Sequence, residues 1–304
     1  VSKVFSTLLI LLICMVSAST ALAQDEPARL SLEALETETP YFDVSLEPGQ
    51  SAELTVRLAN YGGTAAEALI YTADVYSIHG GGLGIRHHDE PRSGATEWLD
   101  FPQETLELQP GDALERTFTV TVPEGVEPGD YISGIVMQDS DPMAVAGGTE
   151  TEQFHQTVRQ GIAVAIDVPG PREPSMTISE ASHRESGERS TILVTIENTG
   201  NTHLRPEGEF SFSGRSGETL AQSSVAMDTV YAGTNTRLEV TLSDVLPAGE
   251  YTILLNLTDQ ETGASAATDN LTFIVPEAET DEEPTAQPEA APSGADGTTD
   301  TTNR

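Results

Sequence analysis

The chain has 304 residues, 49 of them Asp or Glu against 14 Lys or Arg, for a net charge of −35. A field of that sign repels nucleic acid, which needs a basic footprint, and anionic lipid headgroups as well. Cys14 is the only cysteine, so no disulfide forms within the chain and no zinc–cysteine cluster is possible.

Lys3, the apolar run over residues 4–16 and the small residues ending in Ala21-Leu22-Ala23 read as a signal peptide over 1–23, cut before Gln24. The run is shorter than the roughly 20 apolar residues a membrane span needs, which argues against an uncleaved anchor. Cys14 lies inside that run behind the bulky Ile13, which argues against a lipoprotein. The mature chain is then exported without cysteine and folds on core burial alone, which requires domains of roughly 100 residues or more.

Residues 24–40 are polar and acidic with no sustained period, and are expected to be a linker. From Tyr41 the pattern changes. Leu54, Val56 and Leu58 alternate with Glu53, Thr55 and Arg57, the period of a half-buried strand, and Asn60-Tyr61-Gly62-Gly63 turns the chain. A β-rich run over 68–76 ends at a glycine cluster, residues 80–84. Phe118, Val120 and Val122 then alternate with threonines, and runs over 131–137 and 158–168 complete a first domain at 41–169. Pro169-Gly170-Pro171 interrupts any strand, so 170–174 is expected to link two domains.

The second domain, 175–276, repeats the grammar. Ile192, Val194 and Ile196 alternate with polar residues, Asn198-Thr199-Gly200-Asn201 is a turn, and Phe210, Phe212, Leu238, Val240 and Leu242 follow. Strands over 251–257 and 271–275 end it. In both halves a glycine turn precedes an alternating strand, and a second turn then opens the next strand on a tyrosine. The two copies are Pro128-Gly129-Asp130-Tyr131 and Pro247-Ala248-Gly249-Glu250-Tyr251. Evenly spaced strands without a helical period predict an all-β chain of two tandem immunoglobulin-like β-sandwiches. Residues 277–304 are Pro, Ala, Thr, Gly and acid, too poor in apolar side chains to fold, and are expected to be a disordered acidic tail. No apolar segment follows it, so no transmembrane anchor is expected in the mature chain.

The segment Tyr41-Phe42-Asp43-Val44-Ser45-Leu46-Glu47-Pro48-Gly49, with Val56-Arg57-Leu58-Ala59-Asn60, resembles the opening of the N-terminal domain of the WxL-interacting proteins. Trp98-Leu99, Leu106-Glu107-Leu108-Gln109-Pro110-Gly111, Val120-Thr121-Val122-Pro123 and the Pro128–Tyr131 motif resemble later parts of that domain. Ile196-Glu197-Asn198-Thr199-Gly200-Asn201 and Leu246-Pro247-Ala248-Gly249-Glu250-Tyr251 are similar to the family's second domain. The resemblance covers residues 41–276. It implies a Gram-positive-type surface protein whose first domain contacts peptidoglycan and whose second engages a WxL-type surface protein. The family's C-terminal transmembrane helix and basic tail have no counterpart here.

Candidate chemistry is sparse. Gly80-Gly81-Gly82-Leu83-Gly84 lacks the Lys-Ser/Thr and the helix that phosphate cradling needs, and is expected to be a flexible hairpin tip. His79, His87, His88 and Asp89 are close in sequence, but adjacent histidines on a strand face opposite ways, so a solvated loop is expected rather than a metal site. Asp139, Asp141 and the acids over 150–152 lack EF-hand spacing. No G-x-S-x-G elbow occurs, and in a chain this acidic a carboxylate pair carries no information. Arg57, Arg116, Arg159 and Arg237 are expected as outward partners of neighbouring carboxylates, with recognition of an acidic partner segment as their alternative role. Trp98, with Arg86 and Arg92 near it in sequence, is the one pointer to a wall-glycan contact, against a core role for the indole. No catalytic residue, cofactor or metal is expected. The reading is a non-catalytic surface scaffold linking peptidoglycan to a surface protein. Its alternative is an exported immunoglobulin-like chaperone for surface or pilus-type subunits, to which the chain's acidity and its missing lysines are opposed.

Overall fold

The computed structural model describes residues 26–140, 143–145 and 154–277. The expected signal peptide and all but the first residue of the expected acidic tail lie outside the described residues, as do Asp141 and the acids over 150–152.

The first sandwich is built from β1 (Leu30–Ala34), β2 (Phe42–Ser45), β3 (Ser51–Asn60), β4 (Ala66–Ser77), β5 (Leu83–Ile85), a 3-10 turn (Gly94–Trp98), β6 (Leu99–Asp100), β7 (Glu104–Leu108), β8 (Ala113–Thr121), β9 (Gly129–Asp139), the short pair β10 (Met143–Val145) and β11 (Phe154–Gln156), and β12 (Arg159–Val168). One sheet has the order β1-β3-β8-β6. The other runs β2-β12-β9-β4-β5, with β7 beside the first half of β4 and β5 beside its last residues. β2 is parallel to β12, pairing residues 42–45 with 164–167, as befits a first strand that has crossed to the opposite sheet.

Period-two alternation sets what is buried. Val56 and Leu58, Phe118 and Val120, Ile135 and Met137, and Ile162, Val164, Ile166 and Val168 all turn into one core. Phe118 meets Phe42 and Phe101 edge to face, with ring centroids 5.9 and 5.4 Å apart. Residues 24–40 are not the linker that their polarity suggested. Leu30–Ala34 pairs antiparallel with residues 56–60 as β1, and Leu32 is buried. Leu30, Leu32 and Ala34 all turn to the core, but of the three only Leu32 is buried, and five residues are too few for the period to stand out in sequence.

The second sandwich comprises β13 (Met176–Ser186), β14 (Arg189–Asn198), β15 (Glu207–Gly214), β16 (Thr219–Ala226), β17 (Asn235–Thr241), β18 (Gly249–Thr258) and β19 (Ser265–Val275). Its sheets are β13-β14-β17 and β16-β15-β18-β19. Ile192, Val194, Ile196, Phe210, Phe212, Tyr251, Ile253, Leu255 and Leu257 form a separate core. The chain is all-β and immunoglobulin-like in both halves. No helix among the described residues is long and apolar enough to cross a membrane.

Both repeated motifs have the same physical content in the two copies. Asn60 and Asn198 are fully buried at the ends of β3 and β14. Asn60 Nδ2 donates to Thr64 O and Leu108 O, while its Oδ1 accepts from Gly62 N. Asn198 Nδ2 likewise donates to Thr202 O and Val230 O, and its Oδ1 accepts from Gly200 N. Each amide therefore ties two separate main-chain carbonyls to the end of its strand, Leu108 O at the end of β7 in the first copy and Val230 O in the second. Tyr131 and Tyr251 each donate a hydroxyl to the carbonyl four residues earlier, Glu127 O at 2.8 Å and Pro247 O at 2.7 Å. This is the tyrosine corner of immunoglobulin-like sandwiches, made twice.

Candidate functional site

The two cores are joined by residues 169–175, and this junction gathers polar groups from both sides. Asp130, the third residue of the first Pro-Gly-Asp-Tyr motif, is its centre. Its carboxylate accepts from Thr202 Oγ1 and from His203 N at 2.9 Å, and Arg172 Nη2 stands 3.3 Å from its other oxygen. Arg172 also pairs with Asp167 and donates to Val168 O at 2.9 Å. Asn201, the last residue of the second-domain turn, donates to Pro128 O and Pro171 O. Its side-chain oxygen accepts from Glu173 N, and its backbone oxygen from Asp130 N. The connecting segment is thus pinned rather than free.

A second contact lies at the tip between β4 and β5. The tip was expected to be flexible, but it is docked, with Gly81 and Gly82 buried. Gly80 N donates to Arg237 O, Gly82 N to Thr229 O, and Asp228 N to Gly80 O, each at 2.8 Å. Ser77 Oγ accepts from Tyr231 N at 2.9 Å and lies 2.7 Å from Thr234 Oγ1; Thr236 Oγ1 donates to Ile78 O. Glycine is needed here for two reasons. Residues 80–82 hold φ of +78°, +88° and +96°, and a Cβ on Gly81 would lie 2.2 Å from Asp228 O. Composition reveals the permissive backbone but not the surface it fits.

Around these contacts run two clefts. The larger, about 1080 Å³, is lined by Asp74, Tyr76, His79, Arg86 and Thr96 from the first sandwich and by Ala232 to Arg237 from the second. The smaller, about 620 Å³, is floored by the small outward residues of β12, namely Gly161, Ala163 and Ala165, and walled by Tyr41, Leu83, Ile132, His203, Arg205 and Tyr231.

His203 Nδ1 accepts from Ala232 N at 3.1 Å, so its proton sits on Nε2, a buried atom without a partner among the described residues. Burial holds the pKa of this imidazole below its ordinary value, while the Asp130 carboxylate pulls the other way. In the larger cleft Ser93 donates its hydroxyl to the Asp74 carboxylate, and in the smaller Thr262 donates to Asp259 at 2.7 Å. Among the described residues the one close Ser–His pair is Ser190 Oγ to His183 Nε2 at 2.7 Å. It is inaccessible, because Ser190 is fully buried and its hydroxyl also accepts from Leu246 N.

The sequence-derived candidates do not converge. Arg86 lines the larger cleft, stacked 5.2 Å over Tyr76 and paired with Glu90 at 2.9 Å. Arg92 donates to Thr72 Oγ1 at 3.2 Å. Trp98 is half-buried against the first core, its ring 4.7 Å from that of Tyr131. The histidines have three separate surroundings: His79 on Glu239 at 2.8 Å, His87 on Arg159, and His88 edge-on to Tyr71. Among the described residues no cluster of His, Cys, Asp and Glu is placed to hold a metal ion. Of the strand arginines, Arg57 pairs with Glu33 and Glu115, and Arg116 with Glu104, as outward partners of carboxylates. Arg159 instead donates to Ile85 O at 2.7 Å, and Arg237 is exposed beside the larger cleft.

β12 leaves half of its outer edge open. β9 pairs with all of it, whereas β2 pairs only with residues 164–167. Val158 O accepts from Asp139 N on the β9 side, and Asp167 O accepts from Leu46 N on the β2 side. By the alternation of an antiparallel ladder, Arg159 and Gly161 therefore turn their N–H and C=O outward, where no strand among the described residues pairs with them; β1 stands nearby, its Leu30 O and Leu32 N bonded to the Gln160 side chain. This open edge borders the smaller cleft.

No family model matches the sequence, and no curated protein matches it. Solved structures do. The class 5 fimbriae chaperone CfaA is 14% identical, over 79% of this chain and 99% of that one, with a TM-score of 0.32. The E. coli chaperone DraB is 11% identical, over 83% and 97%, also at 0.32. A Salmonella enterica SafA pilin complex with the SafB chaperone matches at 10% identity, 82% and 98% coverage, and 0.32. Identities of this size speak to the fold alone, and these TM-scores add nothing about function.

Proposed function

We propose that this chain is a non-catalytic, exported binding protein that holds an extended segment of a surface protein, in the manner of a chaperone or clamp. The segment adds to the open half of β12, with its side chains in the smaller cleft. What supports this reading is the combination of a hydrogen-bonding edge that no described strand fills, a floor of the small residues Ala163 and Ala165, and a junction that holds the second sandwich as the opposite wall. Main-chain bonds supply affinity in such a mode, and the walls supply selectivity through alternate side chains. A surface protein of the WxL type is the first partner to test, since the sequence resembles proteins that engage one. Peptidoglycan as the ligand of the first sandwich has no comparable support: of Arg86, Arg92 and Trp98, Arg86 alone lines the larger cleft.

The test is amide hydrogen exchange on the complete exported protein, alone and after co-expression with a surface protein of the WxL type. Slowed exchange at Arg159 and Gly161 in a purified complex is the expected result. Protection confined to the second-sandwich loops, or sedimentation with protein-free cell wall and no protein complex, overturns the proposal.

A further inference from the structure

We infer that His203 is an acid-operated latch: when its imidazole takes a second proton, residues 231–234, a wall shared by the two clefts, come off Ser77 while the rest of the junction holds. The segment is fastened from both sides. On the first-sandwich side, Tyr231 N donates to Ser77 Oγ at 2.9 Å, and Thr234 Oγ1 lies 2.7 Å from the same hydroxyl. On the second-sandwich side, Ala232 N donates to His203 Nδ1 at 3.1 Å, and the Tyr231 ring stands edge-on to the imidazole with centroids 5.0 Å apart. Tyr231 lines the smaller cleft and Ala232, Gly233 and Thr234 the larger, so the position of this segment sets the width of both.

The latch depends on the state of one atom. A neutral imidazole offers Nδ1 as an acceptor, whereas a charged one carries N–H at both nitrogens and accepts nothing. Protonation therefore sets Nδ1–H against Ala232 N–H, and it places a charge where Nε2 is already buried without a partner among the described residues. Withdrawal of residues 231–232 relieves both by letting water reach the ring. The charged groups that face the ring are the Asp130 carboxylate, which attracts the imidazolium, and Arg205 and Arg172, which repel it. Burial is the largest influence and favours the neutral ring in the closed arrangement. Tyr231 faces Asp228, Arg205 and Tyr41, and His79 at the tip bonds Glu239.

The neighbouring contacts do not use the ring. Leu204 and Val230 exchange two backbone bonds, Gly82 N donates to Thr229 O, Asp228 N donates to Gly80 O, and His203 N donates to the Asp130 carboxylate. These fix the chain on one side of the segment, and the Gly233 N to Asn198 O bond fixes the other, so the motion is confined to residues 231–234. The sign follows from linkage. A histidine whose pKa is lowered by burial favours the closed arrangement above its ordinary value of about 6.5. That preference is lost as the pH falls through this value, by up to about tenfold per pH unit. Carboxylates ordinarily titrate near 4, below this window.

Amide exchange on the whole exported chain, at about pH 7.5 and about pH 5.5 and corrected for the intrinsic pH dependence of exchange, reads the latch directly. Protection of Tyr231 N and Ala232 N should fall about tenfold, while that of Gly82 N, Val230 N and His203 N changes by less than about twofold. His203→Asn, whose Oδ1 accepts from Ala232 N at either pH, should keep its protection, and His79→Gln should respond as the parent does. In the parent protein, the titration of the His203 ring followed by NMR should share its midpoint with the change in exchange. Unchanged protection at Tyr231 and Ala232, an equal loss at the other three amides, a loss that persists in His203→Asn, or two different midpoints overturns the inference. Because no partner protein takes part, this outcome is independent of the fate of the β12 proposal.

Discussion

Asn60 and Asn198 show how one residue type does the same work in two places. Each is a fully buried amide that donates to two main-chain carbonyls. In Asn198→Ala, Thr202 O and Gly200 N lose this partner while Val230 O keeps the Leu204 N–H, so the change should destabilise the second sandwich by about 1–3 kcal/mol, read as a lower urea midpoint at constant slope. The junction holds a titratable counterpart. Burial lowers the pKa of His203 in the folded protein, so near pH 6 the unfolded chain binds more protons than the folded one. Its contribution is intact above the unfolded value of about 6.5 and is lost as the pH falls through and below it. Stability should therefore fall between about pH 7 and pH 5.5, and His203→Asn, whose Oδ1 can take the Ala232 N–H, should flatten that slope.

At the scale of elements, the β4–β5 tip is the part that sequence reasoning placed best and understood least. Its glycines were expected because they break a strand; their work is to press a backbone with positive φ against Asp228 and Thr229. Gly81→Ala brings a Cβ to 2.2 Å from a backbone oxygen at φ +88°, so the tip must lift. Calorimetry should then resolve two unfolding transitions where the parent protein shows one, because the clasp couples two cores that otherwise unfold separately. A single unchanged transition in that variant would mean that the contacts around Asp130 and Arg172 carry the coupling alone. β1 teaches the converse lesson. Its five residues read as linker because three alternate apolar residues, Leu30, Leu32 and Ala34, are too short a run among polar neighbours, and only its pairing with β3 defines it.

For the whole molecule the governing quantity is a charge of −35 spread over two small cores. Self-repulsion of that size opposes compaction and is screened by salt, with a Debye length of about 30 Å at 0.01 M and about 8 Å at 0.15 M. The melting temperature should therefore rise across that range of sodium chloride, and a flat response would show that the surface ion pairs, such as Arg57 with Glu33 and Glu115, already neutralise the strain. A junction fixed at two points suits a protein that must hold a partner segment against a defined wall, since a free hinge would add an ordering cost to every binding event.

Much of this was legible in the chain itself, for a simple reason. Alternation at every second residue is local, so the strands of both cores, their glycine turns and the all-β class follow from neighbours in sequence. The repeated tyrosine and asparagine were visible too, as motifs. What only the tertiary structure decided is contact between distant residues: Asp130 with Arg172 and His203, Ser77 with Tyr231, and an open edge on β12 where β2 stops short. Polar contacts between residues 42, 73 and 154 positions apart leave no period, and an unpaired edge is defined by where a neighbouring strand stops. Composition could name the groups available for binding, but their convergence is a property of the packed chain.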